Sequence, residues 1–65
     1  MDRVILETNR TSLRQADDGH FFLISPMGHH YPVDPTKPEL FRVCAIWLGL
    51  TVDGLCRRID EQKKV

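Results

Sequence analysis

The amino-acid sequence predicts an α+β domain in which an antiparallel meander of three or four strands precedes two C-terminal helices, packed as two layers. Turn residues divide the first half of the chain at short intervals, and apolar residues in the second half have a helical spacing. A proline-rich connector at 34–38 separates the two halves. With 65 residues the chain should be one domain, with the meander at 1–34 and a helix-corner-helix unit at 38–63.

The first strands are predicted from short β-branched segments and the turns between them. Arg3–Glu7 is expected to form the first strand, and turn chemistry at 9–12 is expected to separate it from a second strand at 13–16. An Asp-Gly pair follows at 18–19, where glycine supplies the positive φ of a tight hairpin. We therefore expect the chain to reverse direction at both places.

The segment 20–25 is expected to be a central strand. Phe21 and Leu23 point to one face of it, and Phe22 and Ile24 point to the other. Because both faces are apolar, the strand should be covered on both sides.

The next reversal should be a type I turn over 25–28, with Pro26 setting φ at its second position. A return strand is expected at 29–33. Because Pro32 cannot donate a backbone hydrogen bond, this strand should lie at an edge of the sheet.

Two helices are predicted in the second half. Pro38 suits the first position of the first helix, and Gly49 suits a left-handed stop at its end. Thr51 is a good N-cap for a second helix beginning at Val52. The apolar residues of that helix recur at positions that share one face: Val52, Leu55, Cys56 and Ile59.

Composition and charge exclude several classes of protein. Nine basic and nine acidic side chains balance, and 42% of the residues are hydrophobic, which excludes an intrinsically disordered chain. The sequence has no apolar run long enough to span a membrane and no secretory signal pattern. We therefore expect a cytoplasmic protein without a membrane partner.

The residues that could carry chemistry follow no catalytic or metal-binding pattern. His29, His30, Cys44 and Cys56 are zinc-ligand types, but no pair of them has the Cys-x₂₋₄-Cys spacing of a structural zinc site. No motif joins a nucleophile to a base. We expect no catalytic residues, no metal, no cofactor and no enzymatic activity.

The apolar content exceeds what so short a chain can cover. Every residue of 40–48 except Arg42 is apolar, so a stripe wider than half the circumference should leave a patch of interface size. This predicts a small non-enzymatic regulator or inhibitor that contacts another protein or a second copy of itself. The expected partner-binding residues are Phe22, Ile24, Phe41, Trp47, Arg57 and Arg58. In size, neutrality and apolar surplus the chain resembles compact phage or mobile-element proteins that block a host machine.

The segment 45–59 resembles the core of helix-turn-helix DNA-binding proteins. The small residue, turn glycine, helix cap and packing residue of that motif correspond to Ala45, Gly49, Thr51 and Leu55. The resemblance implies an alternative function as a DNA-binding transcriptional regulator. Its nucleic-acid contacts would be Thr51, Val52, Asp53, Cys56, Arg57 and Arg58. Because the chain is neutral and DNA binding uses a concentrated basic face, protein contact is the leading hypothesis.

Overall fold

The structure, a computed structural model, describes residues 2–63. Its elements are β1 (Arg3–Thr8), β2 (Thr11–Gln15), β3 (Phe21–Ile24), β4 (His30–Pro32), α1 (Pro38–Trp47) and α2 (Val52–Lys63). The strands form one antiparallel sheet in the order β1-β2-β3-β4, with both helices after it in the chain. The predicted α+β meander is confirmed, and it has four strands.

The turn between β1 and β2 has only two residues. Asn9 and Arg10 have φ values of 50° and 62°, and two residues with positive φ match the twist of a tight hairpin. The prediction that β2 begins at residue 13 is therefore wrong by two positions. Thr11 and Ser12, which were expected in the turn, are buried residues of the strand.

The other two hairpins share a turn geometry that differs from the first, because each has a single residue with positive φ, a glycine. The N–H of Gly19 donates to the carbonyl of Ala16, and the N–H of Gly28 donates to the carbonyl of Ser25, both at 2.9 Å. The two glycines have φ values of 96° and 87°, as the predicted turns require. These turns place β2, β3 and β4 side by side.

Two exposed aspartates stabilise local turns. Asp18 Oδ1 accepts the N–H of His20 at 3.1 Å, and Asp34 Oδ1 accepts the N–H and hydroxyl of Thr36 at 2.9 and 2.8 Å. These hydrogen bonds lower the pKa of both carboxyl groups below the ordinary value of 3.8. Both carboxyl groups therefore stay ionised to a lower pH than an aspartate without such hydrogen bonds.

The helices cover one face of the sheet, and the core lies between the two layers. The register pairs Leu13 with Leu23, and Leu23 with Tyr31, so all three side chains lie on the covered face. The buried core consists of Leu13, Phe21, Leu23, Val33, Phe41, Cys44, Ala45, Leu48, Leu55 and Ile59.

The outer face of β3 is covered without a second layer. The ring of Phe22 stacks on His30, with centroids 5.4 Å apart, and lies 6.0 Å from the ring of His20. Phe22 is only 8% exposed as a result. The expectation that both faces of β3 are covered is confirmed for Phe22, and the cover comes from the chain's own histidines.

The two edges of the sheet are irregular. β4 is the edge strand that Pro32 predicted, and it has three residues. β1 forms the other edge, and its register with β2 shifts at Ile5. Both features interrupt regular pairing with a further strand.

Each helix begins as its local sequence predicts. Pro38 is the first residue of α1, after Lys37 as the N-cap. Thr51 caps α2, because its Oγ1 accepts the N–H of Gly54 at 3.0 Å. Within residues 2–63 neither helix is long and apolar enough to cross a membrane.

The end of α1 is a Schellman motif centred on Gly49. The N–H of Gly49 donates to the carbonyl of Ile46 at 3.0 Å, and that of Leu50 donates to Ala45 at 2.9 Å. Gly49 has a φ of 72°, so the predicted left-handed stop is confirmed. The chain turns sharply here, and the last turn of α1 lies beside the β1–β2 turn.

Candidate functional site

Three apolar side chains of α1 remain exposed beside one another. The buried side of α1 and its C-cap consists of Phe41, Cys44, Ala45 and Leu48. Val43, Ile46 and Trp47 lie at helical spacing on the other side, where Ile46 is 64% and Trp47 is 37% exposed.

The sheet extends this exposed region through Tyr31. Its ring meets Trp47 edge-on, with centroids 5.1 Å apart and an interplanar angle of 78°. Met27 lies in the β3–β4 turn nearby and is 84% exposed. We call Val43, Ile46, Trp47, Tyr31 and Met27 together the Trp47 surface.

A groove of about 620 Å³ runs through the Trp47 surface. It lies between the β1–β2 turn, the β3–β4 turn and the end of α1. Its walls are formed by Asn9, Thr11, Ser25, Pro26, Met27, His29, Tyr31 and Trp47. The volume falls within the range of natural ligand sites, ~300–1,000 Å³. We call it the Trp47 groove.

The polar groups of the Trp47 groove are of two kinds. The hydroxyl of Thr11 donates to the carbonyl of Asn9 at 3.3 Å, and Ser25 Oγ accepts the N–H of His29 at 3.1 Å. Within residues 2–63 the indole N–H of Trp47 and the hydroxyl of Tyr31 make no such bond. The hydroxyls of Thr11 and Ser25 therefore already take part in hydrogen bonds within the chain, whereas Trp47 and Tyr31 have donors that a ligand could use.

Two of the predicted partner contacts are buried in the structure. Phe41 is 3% exposed because it faces the core, and Phe22 is covered by histidine rings on the outer face of the sheet. Ile24 is half-buried on that same face. None of the three lines the Trp47 groove.

The remaining predicted contacts lie on two different elements. Trp47 is exposed on α1 and lines the groove. Arg57 and Arg58 are exposed on α2 and do not line it. The structure thus brings one of the six predicted partner residues into the groove.

The predicted nucleic-acid contacts are arranged along the start and middle of α2. Thr51, Val52, Asp53, Arg57 and Arg58 are exposed, and Cys56 is half-buried against the core. The helix carries three basic and three acidic residues, so its charges cancel. A phosphate backbone would meet no concentrated positive face on this helix.

Sequence reasoning did not identify Met27, Tyr31 or His29 as parts of a site. They come together only because β4 pairs with β3 and brings the β3–β4 turn beside α1. The one local signal was Met27, a large apolar residue at the tip of a turn. A single exposed apolar residue is common on protein surfaces, so this signal alone did not indicate a site.

The four zinc-type residues do not meet. His29 and His30 lie exposed on the sheet, whereas Cys44 is buried in α1 and Cys56 is half-buried in α2. In the described part of the chain, no three His, Cys, Asp or Glu side chains are grouped so that they could hold a metal ion. Both cysteines are free thiols.

The two cysteines should differ in reactivity. Burial raises the pKa of the Cys44 thiol, so that its reactive thiolate is scarce, whereas Cys56 is partly accessible. We expect a maleimide to modify Cys56 in the native protein and Cys44 only in denaturant, as measured by mass spectrometry. A Cys56→Ser variant is the control and should lose the native-state labelling. Equal labelling rates in the native protein would contradict the placement of Cys44.

Comparison of the chain with known protein families, with curated proteins and with solved structures found no match.

Proposed function

We propose that the protein is a small non-enzymatic regulator or inhibitor that acts by binding another protein through the Trp47 surface. The observation that carries the proposal is the adjacency of exposed Ile46, Trp47 and Met27 to a groove. Water-exposed apolar side chains grouped beside a concave site favour association, because burial by a partner removes them from water.

The chemistry of the Trp47 surface supports a protein partner. Trp and Tyr are the residues that most often contribute large shares of binding free energy at interfaces. Methionine adapts its shape to a partner because it is unbranched and flexible. Trp47, Tyr31 and Met27 combine these properties within one groove.

The size of the protein supports action by occlusion. Its surface area is 4577 Å², and a standard interface takes ~800 Å² from each partner, roughly a sixth of that surface. A bound molecule this small would cover a site on a larger protein and still expose most of its own surface. This is how a compact inhibitor would block a host machine.

The partner can also be a second copy of the chain. In that case light scattering coupled to size exclusion should show a dimer whose fraction rises with concentration. The same dimer should dissociate in a Trp47→Ala variant.

The test compares partner capture by Trp47→Ala with capture by a matched surface variant. Val4→Ala is the control, because Val4 is exposed on the edge strand and does not line the groove. We expect the native protein and Val4→Ala to retain the same protein from a lysate of the source cells, with or without nuclease. Trp47→Ala should lose it.

Folding of the variants is monitored by circular dichroism. Trp47→Ala should cost about 1–2 kcal/mol, because its side chain is partly exposed. Met27→Ala is a second groove variant whose exposed side chain contributes little to the core. Retention of the same proteins by all four forms would contradict the proposal.

One observation favours the DNA-binding alternative. Ala45 and Leu55 are buried at the helix corner, Gly49 takes the left-handed turn, and Thr51 caps α2. These are the roles that the helix-turn-helix resemblance assigns. The balanced charge of α2 weakens this alternative, so we retain it as the second candidate.

Charge reversal on α2 separates the two candidates. We expect the native protein to bind duplex DNA weakly or not at all at physiological salt, because Asp53 and the balanced charge oppose phosphate binding. A mobility shift at submicromolar protein would contradict this, provided that Arg57→Glu/Arg58→Glu abolishes it and the fold is intact. A Lys37→Glu variant, changed outside α2, is the control for a nonspecific charge effect.

A further inference from the structure

We propose that the Trp47 groove binds an uncharged, proline-rich segment of the partner in the polyproline II conformation. This inference rests on the proposed function and specifies the chemistry of the bound segment.

The first step concerns charge. Apart from His29, every residue that lines the groove is of an uncharged type, and none is Lys, Arg, Asp or Glu. A charged side chain entering it would lose hydration without gaining an opposite charge, which is costly. The groove is therefore complementary to a neutral segment.

The second step concerns the backbone of the bound segment. A polyproline II helix has no internal hydrogen bonds, so its carbonyls seek donors. Among the residues that line the groove, Trp47, Tyr31 and Asn9 carry side-chain donors, and those of Trp47 and Tyr31 bind no group of residues 2–63. A bound α-helix satisfies its own carbonyls and would leave these donors without acceptors.

Addition of a β-strand is the other mode for an extended peptide, and the geometry opposes it. The groove is bounded by two turns and a helix end, and β4 has only three residues. Pro32 at the end of β4 has no N–H to donate to a new strand. An extended segment in the groove must therefore contact the side chains of the groove and not the backbone of a strand edge.

The third step concerns the aromatic wall. The rings of Tyr31 and Trp47 meet at 78°, which makes a corner with two ring surfaces. Proline rings pack on aromatic surfaces, and a proline-rich segment is already ordered, so little conformational entropy is lost on binding. Pro26 and Met27 supply the opposite apolar wall.

The probe is a decaproline peptide, with a glycine-serine decamer and an amphipathic helical peptide as comparisons. Binding is followed by amide chemical shifts and by the fluorescence of Trp47, the only tryptophan of the chain. We expect saturable binding of decaproline with a Kd below about 1 mM. Neither comparison peptide should bind to the same extent.

Variants locate the binding. Trp47→Ala and Met27→Ala should each weaken decaproline binding at least tenfold. Val4→Ala, on the edge strand and outside the groove, should change it less than twofold. Equal effects of Val4→Ala and Met27→Ala would overturn the assignment to the groove.

The outcomes separate this inference from the proposed function. Groove-dependent binding of the helical peptide alone would overturn the polyproline inference and leave the proposed function in place. The absence of binding by any peptide would also overturn the inference, whereas the proposed function is judged by the capture experiment with Trp47→Ala and Val4→Ala.

Discussion

Leu23→Ala is expected to remove a large share of the free energy of unfolding. Leu23 is fully buried at the centre of β3, where it pairs with Leu13 on one side and Tyr31 on the other. Removing its side chain should cost about 3–5 kcal/mol, through lost burial and the cavity left behind. A domain of this size has a total stability of roughly 3–10 kcal/mol, so the loss removes a third or more of it.

Urea unfolding followed by circular dichroism measures this effect. Val4→Ala is the control, because it removes an exposed apolar side chain from the same sheet and should cost less than about 1 kcal/mol. A loss of less than about 1 kcal/mol in Leu23→Ala would contradict the position of Leu23 at the centre of the core.

Gly49→Ala should also lower the stability substantially, by about 1–2 kcal/mol. A Cβ at this left-handed position is strained, and it would also lie 3.3 Å from Nδ2 of Asn9. The contact joins the helix corner to the β1–β2 turn, so the change should loosen both.

The control for Gly49→Ala separates backbone strain from steric contact. Gly28→Ala has a similar positive φ, but a Cβ there has no atom within 4 Å, so it should show the strain alone. Gly49→Asn should recover part of the loss, because asparagine tolerates the left-handed region. Thermal unfolding of the three variants tests this order, and a stability unchanged in Gly49→Ala would contradict it.

The fold could be predicted where one residue determines the backbone. Gly19 and Gly49 have positive φ, Pro38 begins α1 and Thr51 caps α2, as the sequence indicated. These signals are local, and nothing else in the fold opposes them. The start of β2 was wrong because Thr11 and Ser12 favour turns locally, whereas strand pairing overrides that preference. Thr11 pairs with Thr8 of β1, and Ser12 pairs with both neighbouring strands.

The candidate site could be predicted only in part. In α1 nearly every residue is apolar, so helical periodicity could not show which side faces the sheet. Trp47 was identified, but Phe41 is in the core and Ile46 is exposed in its place. The contact of Tyr31 with Trp47 depends on the register of β4, which residue types alone do not specify.

The strand order also bears on how the protein forms during synthesis. Each strand pairs with the one made just before it, so the sheet can assemble while the chain emerges from the ribosome. At ~5–20 residues per second, the ~30 residues from 34 to 63 follow within roughly 2–6 s. During that interval Leu13 and Leu23 lack their helical cover. Pro32 and the register shift at Ile5 would then also protect newly made chains, because irregular edges hinder two sheets from pairing edge to edge.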